Sequence, residues 1–477
     1  MKKTMVRLLC FVVAILMTLP MIACNSKNEN TSSNNTSTGP IVYEMQDTES
    51  GLKIPKIELT NKVIKFLGID QPQFREDGVV TAFFNKYYGG TIEVDVTAPA
   101  DIITKLSSLI LSEDPPDVVS VSGGFPSLPI TDMVEPIDGL INFNDDLFKD
   151  LNACYEQFIF GDKHYFAPWV YDTLSYVFYN KKIFADNGMK TPQELFNENK
   201  WTWDEFKKAA VDLNVDENGD GIAERWGLAT CTYHDIRLAF TTGQNTINVN
   251  GSDITSNIGN PNLERAFNFL YDLTYKDKVA SPNRDPNEVQ SLFNTGKAAM
   301  LMGPDFWSGD DTAFPDLKKA NGFGYAPYPK DPQADKHYIP GEAIGFFVPK
   351  GVVNNKGLTA FFYSAVAAMK EEGMKGSTAY QKAYDKFMKK YSDSYTQEDY
   401  EKRVETSSKI NSLPRIIDSY RDLVELESMY GEMIGLNGVA PLTYKAVIAK
   451  VEPGLLEIIK NLFATPVESA DVSSMTS

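Results

Sequence analysis

Between Val63 and Val121 the hydrophobic pattern changes period four times, and this alternation limits the fold more than any other feature of the chain. Val63 to Leu67 is a short apolar run. Val79 to Tyr88 clusters its apolar residues at helical spacing and stops at Gly89-Gly90. Ile92, Val94 and Val96 alternate with Glu93 and Asp95, which is a strand period. Ile102, Ile103, Leu106, Leu109 and Ile110 return to helical spacing, and Asp117 to Val121 is a second apolar strand after Pro115-Pro116. Such a βαβαβ order with short connections predicts a parallel, doubly wound sheet. Ligands of these sheets sit beyond the carboxyl ends of the strands. The loops to watch are therefore Gly68-Ile69-Asp70-Gln71 and Ser122-Gly123-Gly124-Phe125.

A second α/β region follows. Ser175 to Tyr179, Trp226 to Cys231 and Ala298 to Met302 read as strands, and Leu263 to Lys276 as a helix. Thr191-x-x-Glu194 and Thr202-x-x-Glu205 are capping boxes that each start a helix. Glu371 to Ile410 carries Lys, Glu, Asp and Tyr at helical spacing with few aliphatics and reads as a solvated helical excursion. A chain of 477 residues exceeds one ordinary core and fits two lobes.

The N-terminal end addresses the chain. Lys2, Lys3 and Arg7 precede the uncharged run Leu8 to Leu19, which is short for a bilayer span and suits a secretory leader over residues 1–23. The leader ends in Met21-Ile22-Ala23-Cys24, which resembles a bacterial lipobox with Cys24 as the acylated mature N-terminus. The chain would then be lipid-anchored on the extracytoplasmic face of the cell membrane, multiple acyl chains giving stable anchoring. Asn25 to Pro40 has almost no apolar residue and is expected to be a disordered tether, with the linker region running over 24–51. Cys10 and Cys24 aside, Cys154 and Cys231 remain, fall in different lobes, and are expected to be free thiols. Loss of the leader takes the formal charge from −18 to about −21, which argues against nucleic acid and against adhesion to anionic lipid.

Five separated motifs share one resemblance. Asp162-Lys163-His164-Tyr165-Phe166-Ala167-Pro168, Tyr179-Asn180-Lys181-Lys182-Ile183-Phe184, Trp201-Thr202-Trp203-Asp204-Glu205-Phe206, Phe293-Asn294-Thr295-Gly296-Lys297-Ala298-Ala299-Met300 and Gly341-Glu342-Ala343-Ile344-Gly345 occur in the order of the extracellular solute-binding proteins of family 1, which includes the maltose-binding protein. The resemblance implies a type II periplasmic-binding-protein-like fold: two doubly wound α/β lobes joined by a hinge. It places the first lobe at 52–168 plus 343–411 and the second at 169–342 plus 412–465. Crossings are expected near Ala167–Leu174, Ile339–Phe346 and Ser412–Ile416. It also implies a monomer that captures a carbohydrate by hinge closure and hands it to the transmembrane subunits of an ABC permease, with no cofactor required.

A saccharide site needs aromatic faces and planar polar side chains. On that basis the resemblance nominates Trp169, Tyr171 and Asp172 in the first crossing, Glu342 in the return crossing, Tyr233 after the Trp226 strand, and Asp305 and Trp307 after the Ala298 strand. Asp70, Gln71, Ser122, Gly123 and Gly124 join them from the first-lobe strand ends. Each has a bland alternative: Trp169 under the hinge, Trp307 in the core, the glycines as simple turns.

Asp216-x-Asn218-x-Asp220-Gly221 matches half of an EF-hand calcium loop. Asp216, Asn218, Asp220, the Ile222 carbonyl and Glu224 could ligate a structural Ca²⁺, although position twelve is Gly227; the alternative is a hydrated Asx-rich turn. No sequence signature of catalysis stands out. His164, His234 and His337 lack metalloprotease spacing, no G-x-S-x-G occurs, and Ser291 stands where a P-loop before Gly296-Lys297 needs glycine. The rival readings are a secreted glycoside hydrolase using Asp172 and Asp305, a receptor for another solute such as a peptide, and a sensor subunit on the same scaffold.

Overall fold

The structure is a computed structural model, and it describes residues 42–462 apart from 122, 173–174, 232–233, 251–252, 418, 420–423, 425 and 435–440. The leader, Cys24 and most of the tether lie outside the described residues. Order begins earlier than expected: Met45–Asp47 pairs antiparallel with Lys53–Pro55, closed by a turn in which Gly51 takes φ +79°.

Val63–Gly68 (β1), Val79–Tyr88 (α1), Thr91–Val96 (β2), Ile102–Leu111 (α2) and Val118–Val119 (β3) follow the expected alternation, with β3 shorter than its apolar run. β1 lies between β2 and β3, and all three run parallel. α1 buries Val80, Phe83 and Phe84 on one face, and left-handed Gly89 closes it by donating its N–H to the Asn85 carbonyl. Successive residues of β1 serve different cores: Phe66 joins one cluster of buried side chains and Leu67 the other.

Ala167–Asp172 (β4) leaves the first lobe, and Ser175–Asn180 (β5) enters the second sheet. That sheet has the order β6-β7-β5-β8, where β6 is Trp226–Thr230, β7 Ala298–Pro304 and β8 Phe323–Ala326. β6 and β7 are parallel, and β5 runs against both β7 and β8. All four strands are buried throughout, as their near-continuous apolar runs require of a sheet covered on both faces. The Thr191 box is complete, with Glu194 returning a bond to the cap; at Thr202 only the side-chain-to-Glu205 N–H half forms.

The chain returns through Ile339–Pro340 (β9) and Glu342–Phe346 (β10), β10 lying antiparallel to β4. Asn355–Gly373 (α3) packs on the first lobe, where Phe361 meets Phe74, Phe84 and Phe346. The next helices form the expected excursion: Thr378–Tyr391 (α4) packs against α3, and Gln397–Asn411 (α5) makes bonds elsewhere. The α5 residue Ser407 hydrogen-bonds Tyr325 at 3.0 Å, Arg403 donates to the Ser308 carbonyl at 3.1 Å, and Gln193 donates to Thr406. The α5 end of the stretch expected with the first lobe thus bonds to the second, because its polar face satisfies groups at the edge strand β8 and beyond. Arg415–Ile416 (β11) then runs parallel to β9 as a third crossing. Cys154 and Cys231 are buried free thiols.

Candidate functional site

Both sheets offer one edge to the crossings. Among the first-lobe strands, β1 ends at Gly68 and β3 at Val119, where Val119 bridges Phe347 just beyond β10. In the second sheet β6 and β7 end at Thr230 and Pro304, and β5 begins at Ser175, directly opposite Pro304. The crossings form the floor between these edges. Their register sets Asp172 opposite Glu342 and Tyr171 opposite Ala343.

At the first-lobe edge, the loop after β1 turns back through Pro72–Phe74, and Phe74 sits edge-on over Trp169 with ring centroids 5.2 Å apart. This carries Asp70 and Gln71 toward the crossing. Gln71 Nε2 donates to Ser120 Oγ at 3.4 Å, tying the two strand-end loops together. Asp70 accepts from Arg75 Nε at 2.9 Å and from Nη2, and this bond holds its carboxyl below the usual range. Gly123 is left-handed at φ +73°, and a Cβ on Gly124 would come within 2.9 Å of Leu128, Phe347 and Val121. Gly124 is thus required by side-chain packing, whereas Gly123 is required by the turn. Ser122 lies outside the described residues, as does Tyr233.

At the second-lobe edge His234 and Ser175 meet, Nδ1 to Oγ, at 2.7 Å. Burial pushes the imidazole pKa down to about 3, so the ring is neutral and exchanges hydrogen bonds as a polar, uncharged group. Behind it Asp235 and Arg284 form a buried pair at 3.1 Å; burial pushes the carboxyl up and the guanidinium pulls it back. Arg284 also donates to Thr230 at 2.7 Å and lies over the Tyr430 ring, fastening the loop after β6 to the C-terminal helices. Asp305, half-buried, opens the turn after β7.

Two expected contacts need correction. Trp169 is 4% exposed and packs on Phe74 and Phe346 in the first-lobe core. The register of the crossing pair shifts between Ile344 and Gly345, leaving Trp169 as the unpaired extra residue of a bulge. Trp307 is 5% exposed and lies over Gly303, where a Cβ would stand 2.4 Å from its ring. Between Asp305 and Trp307, Phe306 is 63% exposed at the same edge and was not among the candidates. The signal for it is the change of period at Pro304, where a fully buried strand gives way to a turn that presents alternate residues to solvent.

The 216–224 loop closes on itself. Asp216 accepts the Gly219 and Gly221 N–H groups at 2.8 and 3.0 Å, Asp220 accepts Ile222 N–H at 2.7 Å, and Glu224 accepts Glu217 N–H at 2.9 Å. Among the described residues no group of three His, Cys, Asp or Glu is placed to hold a metal ion.

The family model described as bacterial extracellular solute-binding protein matches residues 69–369, more than half of the chain. No curated protein matches. Among solved structures, the chain is similar to the maltose/maltodextrin-binding domain MalE of Bdellovibrio bacteriovorus bound to maltotriose (17% identity, 83% of this chain and 100% of that one, TM-score 0.53). It is also similar to the GacH receptor of Streptomyces glaucescens, solved unliganded and with acarbose (16%, 83% and 99%, TM-score 0.56). The sugar-binding protein MalE of Xanthomonas citri gives 14% identity, 84% and 98% coverage, and a TM-score of 0.59. At these identities the likeness shows the type II two-lobed fold.

Proposed function

Because the chain belongs to the bacterial extracellular solute-binding proteins, we propose that it captures a carbohydrate between its lobes and delivers it to an ABC permease while tethered to the membrane through Cys24. The observation that carries this reading is the convergence of strand ends from both sheets on one pair of crossing strands, where Asp172 and Glu342 stand opposite each other. A solute touching both edges gains contacts only when the lobes close, and that differential affinity drives closure. The saccharide assignment draws support from similar proteins described with maltotriose and acarbose. The exposed ring of Phe306 supplies an apolar face, and His234, half-buried and held by Ser175, an uncharged polar group. Among the described residues no helix is long and apolar enough to cross a membrane.

Calorimetric titration of mono- and oligosaccharides into the chain beginning after Cys24 tests the proposal. A binding protein returns each sugar intact and shows a ligand-dependent rise in melting temperature. Asp172→Ala is expected to weaken the best ligand at least about tenfold, the loss of one good charged hydrogen bond. Wild-type affinity in that variant, or turnover of the oligosaccharide, would reject the reading. Cys24→Ala should release the protein from the membrane fraction.

A further inference from the structure

On the face of β4 that carries Trp169, a groove of about 730 Å³ separates α3 of the first lobe from α5, which bonds to the second. Four rings and two thioethers, Met369, Phe387 and Tyr400 among them, line it beside a larger number of charged and polar side chains. One donor open to the groove stands out, Arg403; the Trp169 Nε1–H has no hydrogen-bond partner among the described residues but is fully buried. Arg403 has no carboxylate within 4.0 Å among the described residues; its Nη2 donates to the Ser308 carbonyl at 3.1 Å. Its guanidinium lies 5.6 to 5.9 Å from the ring centres of Phe323, Tyr325 and Phe387. A cation fixed by stacked rings keeps its in-plane N–H groups directed and available.

Of the two acids that line the same groove, Asp150 is taken by Lys370 at 2.9 Å, and Glu372 has its carboxyl raised by burial and pulled back by Lys386. Arg415 adds a second guanidinium to the lining, with its Nη groups donating to Asn411. In a chain of net charge −18 this cavity carries two guanidiniums and four aromatic rings and has the size that holds one small organic molecule. An occupant must offer an apolar body to the rings and negatively charged oxygen to the guanidinium.

We propose that this groove is a second binding site, distinct from the cleft between the strand ends, and that it takes a small aromatic carboxylate. The ring lies against Phe387, Tyr400 and Met369, and the carboxylate oxygens answer the donors of the groove, Arg403 first. The site stands on the groove's own residues and does not depend on which solute the cleft binds.

Indole-3-acetate and its neutral analogue tryptophol, titrated calorimetrically into the full chain, separate charge recognition from ring burial. Indole-3-acetate is expected to bind at least about tenfold more tightly than tryptophol, the factor expected of one charged hydrogen-bonded contact. Arg403→Gln should erase that margin while leaving tryptophol affinity unchanged, and Arg403→Lys should retain part of it. Ser408→Trp, which places an indole into the groove from the exposed side of α5, should remove binding of both. Each variant is first required to melt cooperatively, and if Ser408→Trp does not, the Arg403 pair decides. Failure of indole-3-acetate to bind the wild type, an equal affinity for tryptophol, or an undiminished margin in Arg403→Gln would overturn the proposal.

Discussion

Beside the crossings, the first lobe sets Phe66, Phe74, Trp169, Phe346 and Phe361 edge to face around one another, with ring centroids 4.9 to 5.5 Å apart at the closest pairs. At the corresponding place the second lobe sets a buried ion pair, Asp235–Arg284, beneath a neutral His234 and beside Thr230. Aromatic packing has no directional obligation beyond shape, and a ring of similar volume can replace another at modest cost. A buried ion pair is different, because removing one partner strands the other charge in a medium that cannot solvate it. The strand-end loop of the second lobe is therefore held by a brace that fails abruptly, and that of the first by one that degrades gradually.

The largest effect should come from breaking the polar brace. Arg284→Met leaves Asp235 uncompensated and is expected to cost about 3–5 kcal/mol in a denaturant titration, with loss of order in the His234 loop. Pairing it with Asp235→Leu should recover most of that stability, since an apolar pair of similar volume is often neutral. If the single and double variants are equally unstable, the pair is a packing element and the contrast between the lobes disappears.

On the aromatic side, Trp169→Ala should cost roughly 3 kcal/mol, because it opens a cavity among Phe74, Phe346 and Phe361. Trp169→Phe should cost less than about 1.5 kcal/mol, since it keeps most of the volume and removes an N–H that has no partner among the described residues. Solute affinity measured in Trp169→Phe sharpens the point: it should be unchanged, whereas a stacking ligand contact at this position would make it fall.

Acid should act on the second lobe first. The folded state holds His234 neutral down to about pH 3, while the unfolded chain takes up the proton near 6.5. Stability present above pH 6.5 is therefore lost progressively as the pH falls from 6.5 toward 3, and half-buried His337, also shifted down, adds in the same direction. The carboxyls held below their usual range, such as Asp70 and Asp138, contribute at lower pH, and those raised by burial, Asp117, Asp235 and Glu372, act with the opposite sign, so the comparison with a His234 variant isolates that ring. Urea midpoints between pH 6.5 and about 4.5 should fall toward acid more steeply in the wild type than in His234→Asn.

Much of this architecture could be read from the amino-acid order, because period-2 and period-3.6 patterns report which faces are buried. The βαβαβ run, the α1 boundaries, the strands at 175, 226 and 298 and the free cysteines followed from such local signals. The site was less legible for two physical reasons. An exposed stacking ring and a buried packing ring have the same side chain, so Trp169 and Trp307 were indistinguishable from cleft residues until their neighbours were known. The attachment of α5 was hidden because a charged, tyrosine-rich helix satisfies its polar groups equally well in water or on Tyr325 and Ser308. The Asp235–Arg284 brace joins residues far apart in sequence and leaves no spacing to detect.

The smallest expected effect tests whether an ion belongs to the polar bracing of the second lobe. A calcium loop must turn its carboxylates inward on the ion, yet both Asp216 oxygens accept backbone N–H groups, as do Asp220 Oδ1 and Asn218 Oδ1. Binding would exchange these bonds for coordination, and Gly227 supplies no bidentate carboxylate at position twelve to complete it. Calcium added to chelator-treated protein should accordingly leave the melting temperature where it was, and Asp216→Asn should lower it only slightly through the weakened turn. A rise specific to calcium over magnesium, abolished by Asp216→Asn, would mean that the loop reorganises around an ion and that the second lobe is braced by metal as well as by buried charge.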